Sequence, residues 1–124
     1  MGDATWSPPR LFPMTIQDQT DEALLREFAR SGSQSAFRAL SERYAGLVFS
    51  VALRRTGQRP VAEEVAQNVF AVLARKAAAL VRPGLNLAPW LHRATVLEAV
   101  RAMRKESNRK RIMDDYFHHA DVLA

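Results

Sequence analysis

Apolar residues recur at three- and four-residue intervals from Thr20 onward, and no stretch alternates with the two-residue period of a strand. The pattern predicts four helices. Thr20 can cap the first, with Asp21 and Glu22 in the opening turn where the helix dipole favours acids. Leu24, Leu25 and Phe28 form its short apolar face, Gly32 stops it, and Ser33 can cap the next. The second helix carries Phe37, Leu40, Tyr44, Leu47, Val48 and Val51 and breaks near Gly57. Pro60 suits the first position of the third, whose buried stripe is Val61, Val65, Val69, Val72, Leu73 and Leu80. Pro83 and Gly84 mark residues 82–87 as a loop. Pro89 starts a fourth helix, carried to about Lys110, with Val96, Leu97, Val100 and Met103 as its apolar face.

The expected fold is therefore a compact all-α domain of three long helices plus a short leading one, over residues 20–111. Residues 1–19 hold three of the six prolines, lack periodicity and read as a flexible arm. They have neither the basic start nor the long apolar core of a secretory signal. Residues 112–124 show no clear helical stripe and read as the start of a linker.

A chain of 124 residues fits one domain, and 48% apolar with 25% charged residues is ordinary for a globular protein. Without cysteine, disulfides, thiolate metal sites and Cys nucleophiles are excluded. Charge-free stretches run to about ten residues, such as Tyr44 to Leu53, too short for a membrane span. The expected setting is the cytoplasm, with no membrane contact.

The net charge of +5 changes the picture once it is located. Arg101, Arg104, Lys105, Arg109, Lys110 and Arg111 share an eleven-residue window with one acid, Glu106. Removing those six bases and one acid from totals of 18 and 13 leaves 12 of each. The whole excess sits on the end of the fourth helix. It fits either a local polyanion contact or a solvated helix face.

Signals for catalysis are weak. There is no phosphate-cradling glycine loop; adjacent His118 and His119 point in different directions in the irregular tail, and Glu63 and Glu64 point apart on a helix. No enzyme activity, metal or cofactor is expected. The third helix is more informative. Opposite its valine stripe lie Glu64, Gln67, Asn68, Ala71 and Arg75, where a purely solvated face would be richer in Lys and Glu. Two amides beside a small residue suit a closely approaching partner helix; a bland exposed face is the alternative. On the fourth helix Trp90, Ala94, Arg101 and Asn108 fall on one ridge, with Lys105 and Arg109 beside it. Trp90 fits a core position or a stacking platform. Arg101, Arg104, Lys105 and Arg109 can reach successive phosphates, while Arg82 and Asn86 in the loop can read an unstacked base.

Three blocks in order resemble region 2 of an extracytoplasmic-function sigma factor of the sigma-70 family. Residues Glu22 to Phe37, completed by Leu40, Arg43 and Tyr44, resemble its opening segment. Residues Ala62 to Phe70 resemble its acidic-amide helix. Residues Pro89 to Ala94, followed by Arg104 and Lys105, resemble its Trp-Leu to Arg-Arg helix. The chain departs from the family pattern at Asn68, where an acid is common, at Leu97, where Asn is common, and in the loop 82–86.

The resemblance implies a non-enzymatic role in transcription initiation. Through the second block it implies docking on the β′ clamp helices of bacterial core RNA polymerase, by Glu64, Gln67 and Asn68 with Glu63, Ala71 and Arg75 flanking. Through the loop and the third block it implies recognition and melting of the promoter −10 element, on the non-template strand. The residues concerned are Arg82, Asn86, Trp90, Arg93, Arg101, Arg104 and Lys105, to which the basic window adds Arg109. An anti-sigma factor is a further expected partner. The family's region 4 has no counterpart in these 124 residues, and the expectation is a chain that continues into it. The competing expectations are a helical protein-interaction adapter without promoter binding and, more remotely, a nonspecific nucleic-acid binder.

Overall fold

The computed structural model describes residues 18–123. They form four helices in chain order, α1 (Asp21–Ser31), α2 (Gln34–Thr56), α3 (Arg59–Leu80) and α4 (Ala88–Leu123), with no strand among the described residues. The all-α expectation holds. Residues 1–17, most of the expected arm, lie outside the described residues.

Local chemistry sets the helix ends. Thr20 Oγ1 accepts the Ala23 N–H at 3.1 Å, satisfying a donor that the first turn leaves open. At the other end Gly32 takes φ 72° and donates its N–H to the Phe28 carbonyl, a left-handed cap that a side chain would strain. Ser33 Oγ then accepts the Ala36 N–H at 3.2 Å to start α2. Helix α3 begins at Arg59, one residue ahead of expectation, with Pro60 in the first turn where its missing N–H is harmless. No helix among the described residues is long and apolar enough to cross a membrane.

The chain divides into two compact units. One takes residues through Tyr44 together with Val72–Leu87, and so contains α1, the start of α2, the end of α3 and the following loop. Leu24, Leu25, Leu40, Leu73 and Leu87 are fully buried in it, each contributing about 1.5–3 kcal/mol by leaving water. A polar hub accompanies them. The Asp21 carboxylate, itself buried, accepts Arg43 Nη1 at 2.9 Å on one oxygen. Its other oxygen accepts the Tyr44 hydroxyl at 2.5 Å and the Leu87 N–H at 2.9 Å. Arg43 Nη2 also donates to the Gln19 carbonyl at 2.6 Å. The first residue of α1 is thereby tied to α2 and to the residue that precedes α4.

The other unit takes Ala45–Ala71 and the chain from Ala88, and so contains the end of α2, most of α3 and all of α4. Val48, Val51, Val65, Val69, Leu91 and Thr95 are buried here. The hydroxyl of Thr95 donates to the Leu91 carbonyl at 2.6 Å, so burying it leaves no unmet donor.

Helix α4 corrects the sequence expectation twice. Its buried stripe is Leu91, Thr95 and Ala99, not Val96, Leu97, Val100 and Met103. Leu97 is 55% exposed and Val100 39%, while Val96 and Met103 are half-buried. A threonine and an alanine carry little hydrophobic signal, so the larger residues on the neighbouring face dominated the pattern. The helix also continues past Lys110 to Leu123. Residues 111–120 are exposed throughout, so no core-facing stripe marks them in the sequence. On α3 the buried line is Ala62, Val65, Val69, Leu73 and Ala77, with Val61, Val72 and Leu80 half-buried.

Removing the hub strands its donors. Asp21→Ala is expected to lower stability by about 3 kcal/mol in chemical denaturation, because it takes the carboxylate partner from part-buried Arg43 and leaves the buried Leu87 N–H without its acceptor. Burial, then the Asp21 hydrogen bond, push the Tyr44 hydroxyl up from 10.0 to about 12. The fold favours the neutral phenol, so its contribution is complete below pH 10 and is lost as pH rises to about 12. Denaturation midpoints should fall across that window, and Tyr44→Phe should remove this part of the fall.

Candidate functional site

The first candidate surface lies on α3. Its buried line of Val65, Val69 and Leu73 turns Glu63, Glu64, Gln67, Asn68, Ala71 and Arg75 outward, and all six are exposed. The structure therefore brings the expected residues onto one side of one helix. Arg75 belongs to the first unit and the other five to the second. Glu63 lies 4.0 Å from Arg59, whose guanidinium also sits over the Phe49 ring at 5.3 Å. Glu64 lies 3.6 Å from Lys105 Nζ, an exposed pair. Among the described residues no side chain bonds the amides of Gln67 or Asn68. Both keep a donor and an acceptor open to an incoming surface.

The second candidate surface is the loop from Arg82 to Leu87, in the first unit. Leu85 and Leu87 are buried and anchor it, while Arg82 and Asn86 are exposed, as a loop that presents two polar side chains requires. Leu85 N–H donates to the Arg82 carbonyl at 3.2 Å, and Gly84 takes φ 69° within that turn. The Gly84 N–H donates to Glu22 Oε1 at 3.0 Å. The other Glu22 oxygen accepts Arg26 Nη1 at 2.8 Å. Arg26, then the Gly84 N–H, hold the Glu22 carboxyl below its ordinary value. Asn86 Oδ1 lies 3.5 Å from the Tyr44 hydroxyl. The one phenolic proton goes to Asp21, which is an ångström closer.

Asp21, Glu22, Arg43 and Tyr44 thus belong to the surroundings of this loop, and sequence reasoning assigned them no such role. Asp21 and Glu22 were accounted for by the dipole of α1. Their loop partners stand 66 and 62 residues away, beyond any local spacing rule.

The third candidate surface is α4. Arg93, Arg101, Arg104, Lys105 and Arg109 are exposed, and Trp90 is half-buried. At 100° per residue Arg93, Arg104 and Arg111 return to within about 20° of one another, on the side away from Leu91, Thr95 and Ala99. Exposed Leu97 and Val100 fall among these cations on the same side. Half the basic window has acidic company. Arg101 pairs with Glu98 at 2.9 Å, Lys105 with Glu64, and Arg109 with Glu106. Glu98 stands outside the window, so counting charge within it overstated the local excess. The cation of each pair is exposed, although Glu98 is largely covered, and solvent-screened pairs such as Lys105–Glu64 are worth about 0–1 kcal/mol, so a phosphate can compete for Lys105. Among the described residues no acid lies within ion-pair distance of Arg104. It lines a cavity of about 380 Å³ with Arg55, Ala99, Val100, Met103 and Ser107.

His118 and His119 sit on the exposed end of α4, where His119 Nδ1 donates to the Asp115 carbonyl at 2.9 Å. No three His, Cys, Asp or Glu residues among those described gather as a metal site would require.

The family model described as Sigma-70 region 2 matches residues 40–109, more than half of the chain. The match contains the α3 face, the loop and α4 as far as Arg109, and takes in Leu40, Arg43 and Tyr44 of the first resembling block but not Glu22–Phe37. No curated protein and no solved structure matches the chain. An all-α structure and a family match over residues 40–109 agree: the chain belongs to the sigma-70 family as a region 2 domain, a non-enzymatic transcription factor domain.

Proposed function

We propose that this domain is the region 2 of an extracytoplasmic-function type sigma factor, working in the cytoplasm, and that it recognises and melts the promoter −10 element. Region 2 domains of the family serve transcription initiation, with core RNA polymerase and promoter DNA as partners. The finer assignment is residue by residue. Glu64, Gln67 and Asn68 dock on the β′ clamp helices, with Glu63, Ala71 and Arg75 at the margin. Arg82 and Asn86 read unstacked bases of the non-template strand. Trp90 and Arg93 support that strand, and Arg101, Arg104, Lys105 and Arg109 hold its phosphates. An anti-sigma factor is a further proposed partner.

One observation carries this reading. The α3 residues that resemble the family's docking helix are all exposed, and the two amides among them keep their hydrogen-bonding groups open. A helix that served only as scaffold would gain more from a Lys- and Glu-rich outer face. In the proposed mechanism α3 fixes the domain on polymerase, and the loop captures bases as they leave the stack. Each unstacking costs a few kcal/mol, which capture and phosphate contacts offset.

Co-elution with purified bacterial core polymerase at low salt is the deciding experiment. Binding is expected, and its absence would return the domain to the adapter reading. Glu64→Lys and Gln67→Ala should each weaken the complex by about tenfold. Neither should change the unfolding free energy by more than about 1 kcal/mol, since the Glu64–Lys105 pair is exposed. If both variants bind like the parent, the α3 assignment fails. The double variant Arg101→Ala, Lys105→Ala should weaken single-strand binding for all sequences. It should also lower the slope of log affinity against log salt by about 1.4, the value for two lost phosphate contacts. An unchanged slope would make the basic window a solvated face.

A further inference from the structure

Beyond its own turn bond, two amides of the loop from Arg82 to Leu87 are bonded by another part of the chain. Gly84 donates to Glu22 Oε1 at 3.0 Å, and Leu87 donates to Asp21 Oδ2 at 2.9 Å. The two carboxylates are consecutive residues at the start of α1, where helical geometry turns them about 100° apart. They therefore grip the loop at two points on either side of Asn86, three residues apart. Each carboxylate has its own brace. Arg26 holds Glu22 at 2.8 Å, and Arg43 and Tyr44 hold Asp21 at 2.9 and 2.5 Å. The braced hydroxyl of Tyr44 also lies 3.5 Å from Asn86 Oδ1.

We propose that Asp21 and Glu22 form a carboxylate clamp that sets the backbone of the base-reading loop, so that both are positioning residues for −10 recognition. The inference rests on the proposed role of Arg82 and Asn86. A loop free to change its backbone would present those side chains in many orientations. It would surrender conformational entropy on binding any base and discriminate poorly among them. Held at Gly84 and Leu87, the loop loses that freedom in advance. The clamp touches no DNA itself; it supplies selectivity and leaves the phosphate affinity of α4 unaltered. Asp21 also stabilises the fold, so Glu22, only half-buried at the surface, is the residue through which the idea is tested.

The probe is a pool of single strands with about six randomised central positions, bound by the full chain in the presence of core polymerase. Enrichment is read by sequencing, and Gly84 protection by amide hydrogen exchange on the chain alone. Glu22→Ala is expected to flatten the base preference by about tenfold at the positions that Asn86→Ala or Arg82→Ala also flatten. Total pool affinity should stay within about twofold, and the Gly84 amide should exchange faster. Glu22→Gln keeps a carbonyl oxygen for the Gly84 N–H and should restore both the preference and the protection. If Glu22→Ala keeps the parental preference while Asn86→Ala loses it, the clamp is wrong and the base-reading role stands. If Glu22→Gln regains Gly84 protection without regaining preference, Glu22 acts by its charge and the positioning role is overturned. If neither Asn86→Ala nor Arg82→Ala alters the preference, the base-reading role itself fails, and the inference falls with it.

Discussion

A single buried carboxylate governs the first unit. Asp21 accepts three donors, and they come from Arg43, Tyr44 and the backbone of Leu87. A carboxylate taken out of water is unfavourable unless its lone pairs are met, and here one cation, one hydroxyl and one amide meet them. Apolar burial of Leu24, Leu25 and Leu40 is non-directional and tolerates small changes of register. The hub does not. Its three short bonds fix which residue of α2 faces α1 and where the loop re-enters before α4, so they specify one arrangement among several that would bury similar area.

The same economy of parts explains how stability and recognition meet without competing. Two of the donors that satisfy Asp21 and Glu22 are amides of the loop itself, those of Leu87 and Gly84. The proposed binding surfaces on α3 and α4 show the opposite pattern. On α3 the amides of Gln67 and Asn68 stay unengaged, and on α4 most cations have only weak, solvent-screened partners. The exposed polar groups of α3 and α4 are held loosely, and the groups that bond the loop are held tightly.

The degree to which all this was legible in the sequence follows from the range of each interaction. Helix α1 could be read because Thr20, Asp21 and Gly32 act on neighbours within four residues. The outward face of α3 could be read because Val65 and Val69, one turn apart, give the buried side a strong apolar signature. Helix α4 misled because Leu91, Thr95 and Ala99 bury a stripe whose later members are small or polar. The end of α4 was missed since helical propensity without a buried face leaves no period to detect. For the candidate site, the residues proposed to contact a partner on α3 and in the loop lie on compositionally odd segments, and their exposure could be read from the sequence. The residues that hold the loop could not be read, because Glu22 meets Gly84 and Asp21 meets Leu87 only after the chain has folded back.

Helix α4 is one uninterrupted rod of 36 residues, about 54 Å from end to end. Its Arg93–Arg111 cations and its exposed Met113, Tyr116 and Phe117 are therefore locked in phase along a common screw. Inserting one residue between Arg111 and Met113 would turn everything beyond it by about 100° and advance it by about 1.5 Å, without altering a single side chain. Whatever engages both ends of this helix reads an angle as well as a sequence.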